Sequence, residues 1–579
     1  MKRSFLLAAA LAAAPAALRA QQVRVDSLAD AYWQAQLDRY PEAATTLGLA
    51  GPRNGRLVDL RPAAFDAYDA RLRELERAAA TIDEMGLAPL GRVTLKTLQE
   101  SLARDRTLRI CRDELWSVDQ LSGLQVSFPD LAAIQPTATP AERAFLLARW
   151  RRMGDEIDQQ VQDLRAGLAT GYSAPRVDVE RVISQLERLV AAPVDSNPLL
   201  PAAARPGAPD RDDRWAGQVR AEVGDVIIPS FRRYLAFLGD VYLPRARIEP
   251  GISANPDGAA CYRARIHAET TLDLGADSIH ALGLADVARV RGEMLALARS
   301  RFGTSNLDSL LPALRSDTAY AFGTREEVLA AATAAIDRMR PHLPELFGRL
   351  PTLPLVVEPM PGFEEADAPA AYYYPGTLDG ARPGRYLVNT SAPRTRPRYT
   401  VEALAYHEGI PGHHLQIALA QELPLPDFMR YGGGSAAFTE GWALYAERLA
   451  DERGLYSDDL QRLGMLFFRS WRACRLVVDT GIHALGWSRD SAVAYLSANT
   501  GLSRADVENE VDRYIADPGQ ALAYRLGERE ILALRAEAEA RLGSRFDLRA
   551  FHDAVLADGA VSLPILRDNI DSWLSLQGR

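Results

Sequence analysis

The chain has 579 residues, of which 47% are hydrophobic and 25% are charged, a balance typical of a large globular protein with ample material for a core. Its formal net charge of −9 argues against binding to nucleic acid, which requires a basic surface. Only two of the 67 basic residues are lysines, a skew that we attribute to genome composition rather than to a binding surface.

Residues 1–20 have the pattern of a secretory signal peptide. Lys2 and Arg3 form a basic start, an apolar run follows, and Ala20 is the small residue at the predicted cleavage point. No cysteine follows Ala20 directly, so the pattern predicts no lipid anchor, and no later stretch has the length and apolar character of a membrane span. We therefore expect an exported and soluble protein, periplasmic or secreted.

Most of the chain has a helical pattern. From Ser27 to about Thr170, apolar residues recur at spacings of three and four, as in amphipathic helices. Similar patterns continue beyond it, interrupted at 192–211 by a segment rich in Pro, Ala and Asp that indicates a long connection or a lobe boundary. We predict a mainly α protein with an N-terminal helical lobe at 21–250 and a catalytic helical lobe at 251–579, both forming one continuous body.

Three cysteines in an exported chain allow one disulfide and leave one thiol. Cys111 and Cys261 lie in the N-terminal half, and the sequence is equally consistent with a bridge between them and with three reduced cysteines. Cys474 lies in an apolar helical run and is predicted to be a buried thiol.

Between about 353 and 390 the pattern changes to short β-like runs. These runs lie at 355–360, 371–375 and 384–389, with Asp379 and Gly380 as a turn between the last two. We predict a small sheet directly before the helical segment that contains the chain's cluster of histidines.

The segment 407–414 reads HEGIPGHH and gathers three of the chain's eight histidines around Glu408. Zinc hydrolases commonly carry HExxH on a helix, where a spacing of four puts both imidazoles on one face. In an unbroken helix, the six positions from His407 to His413 would separate the two rings by roughly 9 Å. Both rings cannot then lie about 2 Å from one zinc ion. If the motif binds zinc, the helix must be interrupted.

The residues between the histidines favour such an interruption. Pro411 has no N–H for the carbonyl of His407, and its ring clashes there, whereas glycines stand at 409 and 412. We predict that the inserted turn bulges out and returns His413 or His414 to the face of His407, and the residues do not decide between the two. In the alternative, His407 caps a helix that ends at Pro411 and the later histidines are surface residues.

Two imidazoles and a water leave a tetrahedral zinc ion one protein ligand short. Glu440, about one helix-turn-helix downstream, is the predicted donor; as an alternative it is a first-turn acid favoured by the helix dipole. Glu447 lies seven positions later on the same face, too far to share the ion but able to orient groups nearby. Glu408 would accept a proton from the water and pass it to the leaving amine.

Three segments together resemble a large bacterial family of unknown function: HEGIPGHHLQ at 407–416, FTEGWALYAE at 438–447 and RYIADPGQALAY at 513–524. That family in turn resembles the helical zinc peptidases that use two His and a Glu from a second helix, such as thimet-type oligopeptidases and angiotensin-converting enzyme. The resemblance implies Zn²⁺ as cofactor and a two-lobed helical metallopeptidase-like body. It also implies that an edge strand at 385–389 pairs with the substrate backbone, with Arg385 and Asn389 as substrate-binding residues. A purely structural hairpin is the alternative.

A tetrahedral oxyanion also needs a hydrogen-bond donor. The run DPGQ at 517–520 has the pattern of an N-cap, a Pro at the first helical position and a capping-box Gln, and the helix it starts would present Tyr524 one turn beyond Gln520. The resemblance implies that Tyr524 supplies the hydrogen bond, with Tyr514 as the runner-up. Gln520 and Tyr514 are also predicted to contact substrate. A core tyrosine bonded to a backbone carbonyl is the alternative.

His483 follows Asp479 by one helical turn, a spacing at which the acid can hold the imidazole charged or in one tautomer. We predict either a second catalytic oxyanion donor or a histidine at a helix end.

The sequence therefore predicts an exported zinc metallopeptidase that acts on short peptides in a cleft between two helical lobes. A second interpretation keeps the site and changes the substrate to a non-peptide amide. A third is a non-catalytic metal- or peptide-binding scaffold, against which Glu408 argues because a pure binding site needs no general base. No GxSxG elbow and no reactive cysteine setting supports a serine or cysteine nucleophile.

Overall fold

The structure, a computed structural model, describes residues 2–209, 211–362, 365, 369–377, 380, 382–432 and 434–577, with side chains throughout except at 2–18 and 315. The turn predicted at 379–380 lies partly outside these residues. The predicted mainly α fold with one small sheet is confirmed.

The chain divides into two compact units, one comprising 1–91 and 98–264, the other 92–97 and 265–579. The division thus falls after Ala264 rather than at 250, and the predicted continuous body of two lobes stays a prediction. The segment 192–211 is not a boundary, because Leu199 and Leu200 are buried in the core of the first unit.

The first ten α-helices among the described residues are α1 (Lys2–Arg39), α2 (Glu42–Thr46), α3 (Pro62–Ala79), α4 (Pro89–Thr107), α5 (Leu124–Ile134), α6 (Pro140–Ala169), α7 (Arg176–Ala191), α8 (Asp213–Ala221), α9 (Ile228–Phe237) and α10 (Gly258–Thr270). Short π-helical turns at Glu222–Ile227 and Leu238–Tyr242 adjoin α9. The core of the first unit is built mainly by α5 to α9 and includes the buried rings of Trp150 and Phe231.

The predicted cleavage point at Ala20 lies within α1. None of the described helices combines the length and the apolar character that crossing a membrane requires.

The later α-helices are α11 (Ala276–Phe302), α12 (Leu307–Ser316), α13 (Arg325–Met339), α14 (Leu343–Leu346), α15 (Val401–Glu408), α16 (His413–Glu422), α17 (Asp427–Tyr431), α18 (Ala436–Glu452), α19 (Asp459–His483), α20 (Arg489–Asn499), α21 (Arg504–Ala516), α22 (Gln520–Leu542), α23 (Leu548–Leu556) and α24 (Leu563–Gln577). Nearly every residue of α19 from Leu463 to His483 is buried, because this helix packs against α11, α15 and α22. It is the central helix of the second unit.

Three short strands form the sheet of the second unit: β1 (Leu355–Pro359), β2 (Ala371–Tyr374) and β3 (Gly384–Val388). Their order is β1-β3-β2, with β1 parallel and β2 antiparallel to β3. The predicted sheet is confirmed, but the edge position predicted for 385–389 is wrong, because β3 bonds to a neighbour on both sides. The outer strand beside α15 is β2.

Local signals explain several helix starts. A capping box between Thr139 and Glu142 starts α6. The hydroxyl of Ser435 accepts the backbone N–H of Phe438 and so caps α18, which places Glu440 in the first turns of that helix.

The capping box predicted at 517–520 is wrong. α21 ends at Ala516, directly before Asp517, and α22 starts at Gln520 after Gly519, which has a φ of +91° and makes no side-chain cap. The reason is tertiary, since the N–H of Gly519 donates to Oδ2 of Asp479 on α19 at 3.1 Å. Glycine is suited to this position because other residues rarely adopt that φ.

The helices α18 and α22 pack backbone to backbone. A Cβ on Gly527 would lie 1.7 Å from the carbonyl oxygen of Ala437, and a Cβ on Gly441 would lie 2.4 Å from the carbonyl carbon of Gly527. Only glycine permits this approach, which sets the separation between a helix that carries Glu440 and one that carries Tyr524.

Within the first unit, Cys111 and Cys261 form a disulfide that closes a loop with a sequence separation of 150 residues. Of the two possibilities that the sequence left open, the bridge is the one observed. Cys474 is a buried free thiol, as predicted.

We expect the double substitution Cys111→Ala and Cys261→Ala to lower the free energy of unfolding by about 4–5 kcal/mol, because a loop of this length loses much entropy on closure. Chemical unfolding of the two-alanine variant and the parent measures the difference, with Cys474→Ala as a control that removes a thiol but no bridge. If all three cysteines of the untreated parent react with iodoacetamide after unfolding without reductant, the bridge does not exist.

We expect Gly527→Ala to lower the free energy of unfolding by about 3 kcal/mol, because its methyl group forces two helices apart. The matched control is Gly292→Ala on α11, an exposed position where a Cβ meets nothing within 4 Å. That change should raise stability by up to about 1 kcal/mol through helix propensity alone. Equal unfolding midpoints for Gly527→Ala and the parent would show that α18 and α22 are not in backbone contact.

Candidate metal centre

The helix that begins at Val401 is interrupted where the sequence predicts it. α15 ends at Glu408, the chain turns at 409–412 with a cis peptide bond before Pro411, and α16 begins at His413. Position 412 requires glycine, because a Cβ there would lie 1.9 Å from the carbonyl oxygen of His407. The predicted interruption is therefore confirmed.

A residue of α18 holds this turn in place. The indole N–H of Trp442 donates to the carbonyl oxygen of Pro411 at 2.9 Å, and the Trp442 side chain is fully buried. Tyr445 and Leu449, on the same helix, are fully buried as well.

The turn brings the imidazoles of His407 and His413 together, with ring centroids 4.8 Å apart. Ligand atoms of these two residues and Glu408 all lie within 4.8 Å of one another. His414 takes another direction, since its Nδ1 lies 3.1 Å from the hydroxyl of Tyr373. Burial lowers the pKa of His414 to about 4, so the ring is neutral. Of the two histidines that the sequence left open, His413 joins the cluster.

Glu440 from α18 completes the cluster. Its Oε2 lies 3.5 Å from Nε2 of His407 and 3.4 Å from Nε2 of His413. Ligand atoms around a tetrahedral zinc ion lie about 3.3–3.4 Å from one another. The same Oε2 is buried and has no hydrogen-bond partner among the described residues. These two observations show that the three side chains fit a zinc ion.

Glu447 orients His407 from the side opposite Glu440. Nδ1 of His407 lies 2.8 Å from Oε1 of the fully buried Glu447, so Nδ1 carries the proton and Nε2 turns to the cluster, as in carboxylate–histidine–metal sites. Burial acts to lower the pKa of His407, but Glu440 and Glu447 raise it to about 9. The surroundings therefore favour positive charge at this point, whether a proton or a metal ion carries it.

Glu408 lies between the cluster and the sheet. Its Oε2 accepts the backbone N–H of Tyr373, on the outer strand β2, at 3.0 Å. Burial raises the pKa of Glu408 although His413 and His407 act to lower it. A carboxylate with a raised pKa beside a ligand cluster is suited to accept and return a proton.

Tyr524 also lies at the cluster. Its ring is within 14° of parallel to that of His407, with centroids 6.5 Å apart. The side-chain N–H of Gln520 donates to the Tyr524 hydroxyl at 3.4 Å. The structure thus brings together seven residues that the sequence singled out: His407, Glu408, His413, Glu440, Glu447, Gln520 and Tyr524.

The side chains of His483 and Tyr514 are not part of the cluster. His483 is fully buried, with Nε2 2.8 Å from the backbone carbonyl oxygen of Tyr514. Tyr514 is fully buried too, and its hydroxyl accepts from Trp471 Nε1 at 2.8 Å and Arg475 Nε at 3.1 Å. Of the two possibilities that the sequence left open for His483, the histidine at a helix end is the one observed, since α19 ends there. The predicted substrate contact of Tyr514 is not supported, because its side chain is fully buried. Both are core residues.

Arg385 and Asn389 hold the sheet and its loop. Arg385 pairs with Glu358 on the neighbouring strand β1. The side-chain amide of Asn389 donates to the carbonyl oxygens of Glu365 at 2.7 Å and Pro369 at 3.2 Å. Their predicted contact with substrate depended on an edge strand at 385–389. Because β3 lies in the centre of the sheet, the structure does not support that contact.

Sequence reasoning missed the part played by Tyr373. The only local signal was the run of three tyrosines at 372–374 in a strand-like segment, which has no fixed spacing from the histidines. Its backbone N–H meets Glu408 only because β2 pairs on the outer side of β3.

Comparisons with known proteins find chains similar to this one. A crystal structure described as a "putative lipoprotein" from Colwellia psychrerythraea is similar at 29% identity and a TM-score of 0.88, covering 96% of this chain and 99% of that one. A "putative lipoprotein of unknown function" from Shewanella oneidensis is similar at 19% identity and a TM-score of 0.74, covering 93% and 98%, and shows the fold alone. No curated protein matches. The profile of a family described as bacterial proteins of unknown function, DUF885, matches residues 41–570, and the chain therefore belongs to that family.

Proposed function

We propose that the protein is an exported zinc-dependent hydrolase that cleaves peptide bonds in short peptides. The observation that carries the proposal is the position of Glu440 Oε2, buried without a hydrogen bond and 3.4–3.5 Å from the Nε2 atoms of His407 and His413.

The donor set favours zinc in a catalytic rather than a structural site. Two imidazole nitrogens and one carboxylate oxygen are common zinc ligands, and three protein ligands leave a tetrahedral position open. Zinc bound there would supply a Lewis acid for the substrate carbonyl and lower the pKa of a water molecule. Glu447 holds His407 in the tautomer that such a site needs.

The residues around the ligands have the roles that amide hydrolysis requires. Glu408 takes the proton of the attacking water and returns it to the leaving amine. Tyr524 donates a hydrogen bond to the carbonyl oxygen as negative charge develops on it. Because Gln520 donates to the oxygen of the Tyr524 hydroxyl, the hydroxyl hydrogen is left to point elsewhere.

The outer strand supports a peptide substrate over a non-peptide amide. β2 is at the edge of the sheet, and its Tyr373 N–H meets the proposed base. An extended peptide that adds to this edge would gain backbone hydrogen bonds beside Glu408. A substrate without a peptide backbone would gain none of them.

Three observations support export. Residues 1–20 have the pattern of a signal peptide. The disulfide between Cys111 and Cys261 is of a kind that persists in oxidising compartments. The similar structure from Colwellia is described as a putative lipoprotein, and bacterial lipoproteins are exported proteins.

The ligand and base assignments are tested together by metal analysis and by mass spectrometry of a digested peptide pool. The parent should hold one zinc ion per chain and cleave short peptides. Glu408→Gln should hold the same zinc and cleave about 10³-fold more slowly, because it lacks the base. His413→Gln should lose zinc, whereas its neighbour variant His414→Gln should keep it.

Three other outcomes would each contradict a separate part of the proposal. Equal cleavage by Glu408→Gln and the parent would remove Glu408 as the base. A metal-free parent after dialysis against zinc would remove the ligand set. Stoichiometric zinc with no peptide cleaved by the parent would favour the scaffold or a non-peptide amide.

We expect Glu447→Gln to weaken zinc binding by about 10–100-fold, because His407 loses the acceptor that fixes its tautomer. Competition with a chromophoric chelator measures the dissociation constant. Glu452→Gln is the matched control, since Glu452 lies on the same helix and pairs with Arg448 and Arg535 instead. Equal affinities in the two variants would show that Glu447 does not act on the metal ligand.

A further inference from the structure

Tyr524 is supported on its ring and at its hydroxyl. The guanidinium carbon of Arg475 lies 4.1 Å from the centre of the Tyr524 ring. The hydroxyl oxygen accepts the side-chain N–H of Gln520 at 3.4 Å. The two supports come from different helices, since Arg475 is on α19 and Gln520 starts α22.

Both supports lead back to one carboxylate oxygen on α21. Nη2 of Arg475 lies 3.3 Å from Oε2 of Glu510. The same Oε2 accepts from Nη2 of Arg513 at 3.0 Å. Arg513 in turn donates through Nη1 to the side-chain oxygen of Gln520 at 2.7 Å. Glu510 is thus the common partner of the residue on the ring and the residue behind the hydroxyl.

The charge on Glu510 holds the two arginines near each other. Burial would raise the pKa of Glu510, but Arg513 and Arg475 lower it to about 2, so the group is ionised at neutral pH. Arg475 is 3% exposed, and a buried guanidinium without an anionic partner is strongly destabilised. A neutral side chain at 510 would leave two like charges facing each other beside Tyr524.

Arg513 also decides which way the amide of Gln520 faces. Because the side-chain oxygen of Gln520 accepts from Arg513, its NH₂ group is the one that turns to Tyr524. A Tyr hydroxyl has one hydrogen to donate, and an N–H arriving at its oxygen leaves that hydrogen for another acceptor.

We propose that Glu510 is a positioning residue that, through Arg475 and Arg513, holds Tyr524 with its hydroxyl hydrogen directed at the substrate carbonyl. The inference rests on the proposed function, in which Tyr524 is the donor to that carbonyl. Glu510 touches neither the substrate nor the metal ligands in this scheme.

A neighbouring acid provides a matched control. Asp512 lies two residues further along α21 and pairs through both carboxylate oxygens with Arg489 of α20. Like Glu510, it lies on α21 and pairs with an arginine, and that arginine is neither Arg475 nor Arg513. Asp512→Asn therefore measures the cost of losing an ion pair on this helix.

The first test is a double-mutant cycle on zinc-loaded protein with a quenched fluorogenic peptide pool. Glu510→Gln should lower kcat about tenfold with little change in KM, because misplacing a donor costs transition-state stabilisation. In a Tyr524→Phe background the same change should add no further loss. Asp512→Asn should leave kcat as in the parent.

The second test needs no activity. With 3-fluorotyrosine at position 524 of the zinc-free protein, the ¹⁹F resonance should shift or split in Glu510→Gln and in Arg513→Met, and stay in place in Asp512→Asn. Arg513→Met keeps the test open if Glu510→Gln does not fold, since the side chain of Arg513 is partly exposed.

The two tests separate this inference from the proposed function. If the parent cleaves no peptide of the pool, the hydrolase proposal fails and the ¹⁹F spectra still decide the position of Tyr524. If the parent cleaves peptides but the losses from Glu510→Gln and Tyr524→Phe multiply, Glu510 does not act through Tyr524. An unmoved resonance in both Glu510→Gln and Arg513→Met overturns the inference as well.

Discussion

The centre depends on the approach of the Gly412 backbone to the carbonyl oxygen of His407. Any Cβ at 412 would lie 1.9 Å from that oxygen, so only glycine lets the chain fold back tightly enough to start a new helix at His413. An unbroken helix would keep the two imidazoles roughly 9 Å apart. Every later contact in the cluster presupposes this turn, including the position of Glu440 Oε2 between two ring nitrogens.

A second close approach, between the backbones of α18 and α22, places the remaining ligand, Glu440. Gly441 directly follows Glu440 in the sequence. It is a contact point where α18 meets the backbone of Gly527 on α22. The helix crossing brings Glu440 and Tyr524 to the same place. Glycines on both sides of the site therefore permit close backbone approaches that larger residues would prevent.

What could be predicted from the sequence was the part set by local chemistry. The interruption between His407 and His413 follows from proline and glycine alone, and Glu440 and Glu447 follow from helical spacing. The order β1-β3-β2, which makes β2 rather than 385–389 the outer strand, depends on pairing between segments and has no local signal. The start of α22 was mispredicted for the same reason, because Asp479, 40 residues upstream, binds the N–H of Gly519.

His483 shows the same limit in a single side chain. Its spacing from Asp479 suits a functional pair, yet the ring is fully buried and bonded to the Tyr514 carbonyl. Spacing shows that two groups can meet, whereas burial decides whether a substrate can reach them.

Three polar groups at the centre are each oriented by a hydrogen-bond partner. Glu447 holds His407, the N–H of Tyr373 holds Glu408, and Gln520 holds the hydroxyl of Tyr524. Two of these partners are side chains on the helices that also supply Glu440 and Tyr524, so the same helix crossing sets the ligands and their orientation. A pure metal-storage site would need the ligands and Glu447, but it would have no use for an oriented Glu408 and Tyr524. The presence of all three oriented groups around one ligand set is what favours hydrolysis over binding alone.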